Sequence, residues 1–129
     1  MPAVIRAVSG YDYKMAEQAT AEDNPVTARR ESCCSAYHAA IELIGKRWTG
    51  AIVFVLLDGP LRFSEVKVLV PDLSDRLLSE RLKELEAEGI VERRASEGVP
   101  VRIEYGLTEK GRALEPAVRS LKVWARSWL

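Results

Sequence analysis

The two cysteines of the chain stand side by side, at Cys33 and Cys34, and the single histidine, His38, follows close behind. Thiolates react with oxidants and electrophiles, and they bind soft metal ions. Adjacent cysteines rarely provide the geometry of a closed tetrahedral zinc site, and His38 is more simply explained as a helix-surface or interface residue. The pair therefore indicates thiol chemistry, or else two inert small residues, and no metal site is expected.

A second group of functional side chains lies on a predicted amphipathic helix from about Ser74 to Glu88. Its apolar side consists of leucines, namely Leu77, Leu78, Leu82 and Leu85. The polar side carries Arg76, Ser79 and Lys83. Arginine can make two hydrogen bonds to guanine, serine can bond a base or a phosphate, and Ser74 with the free N–H groups of the helix start can hold a phosphate. Composition alone favours a plainer interpretation, a solvated surface whose glutamates pair with neighbouring basic residues.

The motifs of an enzyme are missing from the sequence. It contains no glycine-rich phosphate loop, no nucleophile with a plausible base and no Cys-x-x-Cys redox pair. No catalytic activity and no cofactor are therefore expected.

Length and composition are those of a globular protein with one domain. The chain has 129 residues, of which 47% are hydrophobic and 29% charged. No apolar run approaches the roughly 20 residues of a membrane-spanning helix, and the N-terminus lacks the apolar stretch of a signal peptide, so a cytoplasmic protein without a membrane partner is expected. The formal net charge of zero counts mildly against a nucleic-acid partner, and any such surface must be local.

The spacing of apolar residues predicts a series of helices followed by a hairpin. Residues 1–31 form an N-terminal arm, with a short helix around Lys14 to Ala21, and residues 32–129 form the folded domain. In that domain we expect a helix capped by Ser35, a buried helix before Asp58, a short helix from about Ser64 and the helix capped by Ser74. Two strands joined by Glu97–Pro100 follow, and then a final helix with a bend or a break near Pro116. This order is typical of a winged helix-turn-helix, an α+β fold that is mainly α.

Three motifs in this order resemble the HxlR family of winged helix-turn-helix regulators. They are the Gly-x-x-Trp of "IGKRWTG", the run "LKELEAEGIV", and the Tyr-x-Leu-Thr-x-x-Gly of "YGLTEKG". The resemblance covers roughly Cys34 to Trp124, and it implies a homodimeric DNA-binding regulator whose N- and C-terminal helices form the dimer interface. The terminal helix supports this, because a small domain cannot easily bury Leu121, Val123, Trp124 and Trp128 alone. The alternative is that this helix folds back on its own core.

The same resemblance assigns candidate roles outside the helix from Ser74. Arg62, just before the third helix, is expected to contact a phosphate. Arg94 and Arg102 flank the hairpin, which is called the wing, and are expected to contact phosphates or the minor groove. Each of these could instead be an ordinary surface arginine.

In some members of the family a cysteine near the N-terminus senses oxidants, quinones or aldehydes, and Cys34 falls at its place. The sequence departs from the pattern in two ways: Ser35 stands where a proline is usual, and no cysteine follows Cys34. What remains is alkylation or sulfenic acid formation at Cys34, with Cys33 beside it, or a disulfide between equivalent cysteines of two subunits. Placement at a helix start favours the reactive thiolate.

Together these observations predict a homodimeric transcriptional repressor that binds a pseudo-palindromic operator in double-stranded DNA and responds to redox signals or electrophiles through Cys34. Two alternatives remain open. One is a winged helix that binds protein without specific DNA binding, and the other is a regulator whose cysteines are not sensors.

Overall fold

The computed structural model of the protein describes residues 24–129. Contacts divide the chain into two compact units, residues 1–40 and 41–129. The helix predicted around Lys14 to Ala21 lies outside the described residues.

In the first unit, α1 (Pro25–Ala28) is capped by the Asn24 side chain, whose Oδ1 accepts a hydrogen bond from the N–H of Val26 at 2.8 Å. Helix α2 (Ser35–Ile44) begins in the same unit. The prediction that Ser35 caps this helix is wrong, because Ser35 is its first helical residue. The cap position falls on Cys34, whose carbonyl oxygen accepts from the N–H of His38 at 3.1 Å.

The second unit has the element order of a winged helix-turn-helix and confirms the predicted fold class. Its helices and strands are α3 (Thr49–Leu56), β1 (Leu61–Arg62), α4 (Phe63–Leu69), α5 (Asp75–Ala87), β2 (Val91–Ala95), β3 (Ile103–Leu107), α6 (Glu109–Arg112) and α7 (Glu115–Trp128). Helices α4 and α5 are the helix-turn-helix pair, and β2 and β3 form the wing. In the described part of the chain no helix is long and apolar enough to cross a membrane.

The core of the second unit is built mainly by α3 and α5. Helix α3 buries Ile52, Val53 and Leu56 almost completely, as expected of a helix that is apolar nearly all round. Helix α5 contributes Leu78, Leu82 and Leu85, each at most 1% exposed. Burying one leucine side chain contributes about 2 kcal/mol, so these contacts hold α5 rigidly and leave its polar side facing outward.

The sheet has three antiparallel strands in the order β1–β3–β2, one more than the sequence predicted. Strand β1 has only two residues and pairs Leu61 with Tyr105 and Arg62 with Glu104. A strand of this length carries no alternating pattern, which explains why it was missed. Strand β3 begins at Ile103, and Val101 just before it is 61% exposed.

The final segment breaks into α6 and α7 at Ala113 and Leu114, close to Pro116, near which a bend or a break was predicted. Pro116 lies in the first turn of α7, where a backbone N–H has no helical partner and proline is tolerated. Gly111 in α6 is buried and packs closely on the backbone of Ile90, so a Cβ there would lie 2.2 Å from the carbonyl oxygen of Ile90.

Candidate nucleic-acid interface

The N-terminus of α5 is fixed by contacts on both sides of the helix-turn-helix turn. Ser74 Oγ accepts a hydrogen bond from the N–H of Leu77 at 3.2 Å, which makes Ser74 the predicted cap. Lys67 of α4 pairs its Nζ with Asp75 Oδ1 at 3.2 Å and also donates to the carbonyl oxygen of Leu73. The first turn of α5 is therefore held in place before any ligand arrives.

The outer side of α5 carries the three polar residues predicted from its sequence. The side chain of Arg76 is 90% exposed, and its contact with Glu80 is loose, with Nε 3.8 Å from Oε1. Lys83 is exposed and forms no ion pair within residues 24–129. Ser79 is half-buried between them along the helix. These donors are free to reach a ligand that approaches from outside.

Another side of α5 carries Arg81, a residue that sequence reasoning missed. Its side chain is only 12% exposed, and its Nε donates to the carbonyl oxygen of Arg47 at 2.9 Å. Glu84 accepts from Arg81 at 3.3 Å and pairs with Lys46 Nζ at 2.8 Å. The three-residue spacing of Arg81 and Glu84 is typical of an ordinary surface ion pair. The contact of Arg81 with the backbone of Arg47 joins distant residues, so the sequence around Arg81 does not indicate it.

Glu84 stays ionised in this arrangement. The hydrogen bond from Lys46 is the largest influence that lowers the pKa of Glu84 below its ordinary value of 4.5, and the charge of Arg81 adds to it. The negative charge of Glu84 therefore lies against the loop before α3, whereas Glu80 remains on the outer side beside Arg76.

The three arginines predicted to contact DNA from outside α5 lie on one face of the sheet. Arg62 of β1 and Arg94 of β2 are both the Cα partners of Glu104 in the central strand. Pairing continues beyond the strand ends, since the N–H of Ser96 donates to the carbonyl oxygen of Arg102 at 2.8 Å. Because side chains two residues apart on a strand share a face, Arg102 lies on the same side as Glu104.

This outer sheet face, formed by Arg62, Arg94, Arg102 and Glu104 with Glu92 and Glu65 beside them, carries both signs of charge. Arg94 pairs with Glu92, and the Arg62 guanidinium lies 3.5 Å from Glu65 Oε2. The N–H of Arg62, at 2.7 Å from Glu65 Oε1, holds the pKa of Glu65 below its ordinary value, and the guanidinium lowers it further. A phosphate that binds Arg62 or Arg94 competes with a neighbouring carboxylate for the guanidinium.

Both cysteines, described within the first unit, are exposed. Cys34 Sγ lies 3.3 Å from the N–H of Tyr37, which donates to it from the first turn of α2. Cys33 Sγ lies 3.7 Å from the carbonyl oxygen of Cys34. Within the described residues no three His, Cys, Asp or Glu side chains come together as a possible metal site.

Helix α7 leaves a row of large apolar side chains in solvent. Leu121, Trp124 and Trp128 follow each other at helical spacing and are 59%, 52% and 74% exposed. The neighbouring side of the helix packs inward through Val118, and Lys122 Nζ lies 4.3 Å from the Phe54 ring centre. We call Leu121, Trp124 and Trp128 the α7 stripe.

The protein belongs to the class of winged helix-turn-helix DNA-binding proteins. The features that define this class are an α5 helix with exposed donors, a preceding helix that fixes its start, and a wing that carries arginines. The chain belongs to the HxlR-like helix-turn-helix family, which matches residues 43–129. Proteins of this family and the similar proteins described below are transcriptional regulators, not enzymes, and helix-turn-helix regulators bind DNA. The resemblance seen in the sequence is thereby confirmed.

Two relatives from Bacillus subtilis illustrate the match. The chain is 50% identical over 96 residues to the uncharacterized HTH-type transcriptional regulator YvaP, covering 74% of this chain and 89% of YvaP. It is 47% identical over 92 residues to the HTH-type transcriptional regulator YodB, covering 71% of this chain and 82% of YodB.

Solved structures agree with the fold. The reduced form of YodB superposes with a TM-score of 0.69 at 44% identity, over 75% of this chain and 95% of that chain. Quinone-bound YodB superposes with a TM-score of 0.62 at 44% identity, over 74% of this chain and 100% of that chain. The redox regulator HypR in its oxidised form superposes with a TM-score of 0.68 at 40% identity, over 73% of this chain and 96% of that chain.

Proposed function

We propose that the protein is a homodimeric repressor that binds a pseudo-palindromic operator with α5 in the major groove and the wing along the backbone or minor groove. One observation carries the proposal. The residues of α5 that could read bases point outward, with Arg76 90% exposed, while its leucines anchor the helix in the core. Because duplex DNA is the ligand, we infer a cytoplasmic location.

Each candidate residue has its own part in this interface. Arg76, Ser79 and Lys83 contact base edges from the exposed side of α5, and Arg76 is suited to a two-bonded contact with guanine. Ser74, with the first N–H groups of the helix, holds a phosphate. Arg62, Arg94 and Arg102 contact phosphates from the outer sheet face, which positions the protein without reading sequence.

The α7 stripe supports the homodimer. Three large apolar side chains more than half exposed on one helix form a surface that an isolated subunit leaves in water. Association of two stripes around a two-fold axis removes that surface and places two α5 helices on one side of the DNA. Two-fold symmetry then predicts half-sites about 10–10.5 base pairs apart, or a multiple of that spacing.

Cys34 is the proposed sensor. Its sulfur is exposed to small molecules, and the N–H of Tyr37 donates to it at 3.3 Å. A thiolate can add to a quinone ring carbon. One quinone oxygen then takes up a proton from solvent and the hydrogen of the attacked carbon moves as a proton to the other oxygen, which yields the substituted hydroquinone without any further oxidant. An oxidant instead converts the thiolate to sulfenic acid. We propose that either change lowers the affinity for the operator.

DNA binding is tested by fluorescence anisotropy of the reduced protein with the intergenic DNA upstream of its own gene and with a scrambled duplex. Preference for the first by about a thousandfold or more at moderate salt supports the regulator. Charge reversal of Arg76 and Lys83 should abolish duplex binding without affecting dimerisation. Equal, weak binding to both duplexes, unchanged by that reversal, would favour a winged helix that binds protein instead.

Sensing is tested on the same complex with benzoquinone or hydrogen peroxide. The wild-type protein should release the operator, Cys34→Ser should keep it, and Cys33→Ser should still respond. If Cys34→Ser released the operator at the same reagent concentration as the wild-type protein, Cys34 would not be the sensor, and the proposed DNA binding would still stand.

A further inference from the structure

We propose that Cys33 and Cys34 together chelate a mono-substituted trivalent arsenical, a compound of the type R–As=O. Both thiols are exposed, and among residues 24–129 each sulfur has only a weak polar contact, at 3.7 Å for Cys33 and 3.3 Å for Cys34. Exposed side chains change rotamer within nanoseconds, so both sulfurs can turn toward one atom. The protein has no other cysteine that could compete.

The spacing of the two thiols favours an inserted atom over a direct disulfide. Neighbouring Cα atoms across a trans peptide are about 3.8 Å apart, whereas disulfides usually need about 4.4–6.8 Å. A disulfide within the pair is therefore strained. Two bonds of about 2.3 Å to a shared atom, the length of a typical zinc–sulfur bond, separate the sulfurs by roughly 3.3–3.8 Å instead of about 2.05 Å. The ring that closes around the inserted atom is larger and less strained.

The number of protein ligands available at Cys33 and Cys34 determines which kind of metal or metalloid can bind there. Within residues 24–129 no third or fourth His, Cys, Asp or Glu joins the pair in a metal-binding group. A metal ion that needs three or four protein ligands is therefore poorly served here. The arsenic of R–As=O carries its third substituent itself, so that two thiols complete its coordination.

The reaction balances without an oxidant or a reductant. Two As–S bonds form and the As=O bond breaks. The oxygen leaves as water with the two thiol protons, and no atom changes its oxidation state. The binding step does not depend on DNA, whereas the loss of operator affinity that we expect to follow rests on the proposed function, because it uses Cys34.

The test uses phenylarsine oxide, the full reduced chain and mass spectrometry under native conditions. We expect one phenylarsenic group per chain that survives excess glutathione, a monothiol, and is removed by dimercaptopropanol, a dithiol. Cys33→Ser and Cys34→Ser each keep one thiol and form a matched pair. Both should lose the adduct to glutathione at least tenfold faster than the wild type.

Two results would overturn the chelate. In one, glutathione strips the wild-type protein as fast as the single variants. In the other, Cys33→Ser keeps the adduct at one arsenic per two chains, which would mean that arsenic bridges Cys34 residues of two subunits. A retained adduct that leaves operator affinity unchanged would instead contradict the proposed sensing function, while the chelating site would stand.

Discussion

The Nε of Arg81 donates a hydrogen bond to the backbone carbonyl oxygen of Arg47 at 2.9 Å, and this contact ties the middle of α5 to the loop before α3. Lys46 and Glu84 form a second link between the same two segments, at 2.8 Å. The proposed DNA-reading helix is thus positioned by polar contacts on one side as well as by leucines in the core. Its rigidity is a property that substitutions can test.

Replacing Arg81 should cost stability, whereas replacing Lys83 should cost only DNA affinity. Arg81→Ala removes a nearly buried donor, so we expect the free energy of unfolding to fall by about 1–3 kcal/mol in urea titrations. Lys83→Ala, two residues away and exposed, should change it by less than about 0.5 kcal/mol but weaken operator binding. Equal stability of the two variants would show that the Arg47 contact contributes nothing.

Two glycine-to-alanine substitutions should have opposite effects. Gly111→Ala places a methyl group 2.2 Å from the carbonyl oxygen of Ile90 and should destabilise the protein by about 1–3 kcal/mol or more. At Gly50 in α3, the new methyl group lies 3.8 Å from the carbonyl oxygen of Ile44, an ordinary contact. Gly50→Ala should therefore stabilise by about 0.5–1 kcal/mol through helix propensity. Thermal unfolding of both variants checks the sign of each change.

The ion pair at Glu84 should appear in the pH dependence of stability. Because Lys46 lowers the pKa of Glu84 in the folded state, the stabilisation is complete above the unfolded pKa of about 4.5 and is lost as the pH falls through the lower folded value. Between about pH 6 and pH 3, wild-type protein should lose more stability than Glu84→Gln. High salt should shrink the difference, since both side chains are partly exposed. Parallel pH profiles at low salt would contradict the prediction.

Glu65→Gln should strengthen binding to DNA of any sequence. The variant keeps an oxygen that can accept from the N–H of Arg62 but removes the negative charge that lies against its guanidinium. We expect a few-fold gain in affinity for both operator and scrambled duplex at low salt, fading as salt rises. Glu109→Gln, an exposed change with the same loss of charge, is the control. A gain confined to the operator would argue that Arg62 reads bases.

Dimerisation should depend on the α7 stripe. Trp124→Glu introduces a charge at a position already 52% exposed, so the subunit should remain folded by circular dichroism. Sedimentation should show a monomer, and operator affinity should fall by at least tenfold because both half-sites are no longer bound together. Arg126→Glu, on another side of the same helix, should remain dimeric. A dimeric Trp124→Glu protein would exclude the stripe as the interface.

Elements with local signals were predicted closely. Helix α5 was expected from Ser74 to Glu88, and those two residues are its observed N-cap and C-cap. The serine cap, the leucine spacing and Gly89, whose φ of +73° suits glycine, are all contained in the segment itself. Strand β1 has no such signal, because two residues become a strand only through their pairing with β3.

The sequence by itself determined the order of the main helices and of the two wing strands, the leucine side of α5 and the outward position of Arg76 and Lys83, because helical and strand periodicity are written into neighbouring residues. Only the tertiary structure decided that Arg81 bonds the backbone at Arg47, that Arg62 and Arg94 meet across Glu104, and that Cys34 rather than Ser35 occupies the cap of α2. The first two join residues far apart in the chain, and the third depends on where a helix starts. Such contacts arise from packing and register, which no local pattern encodes.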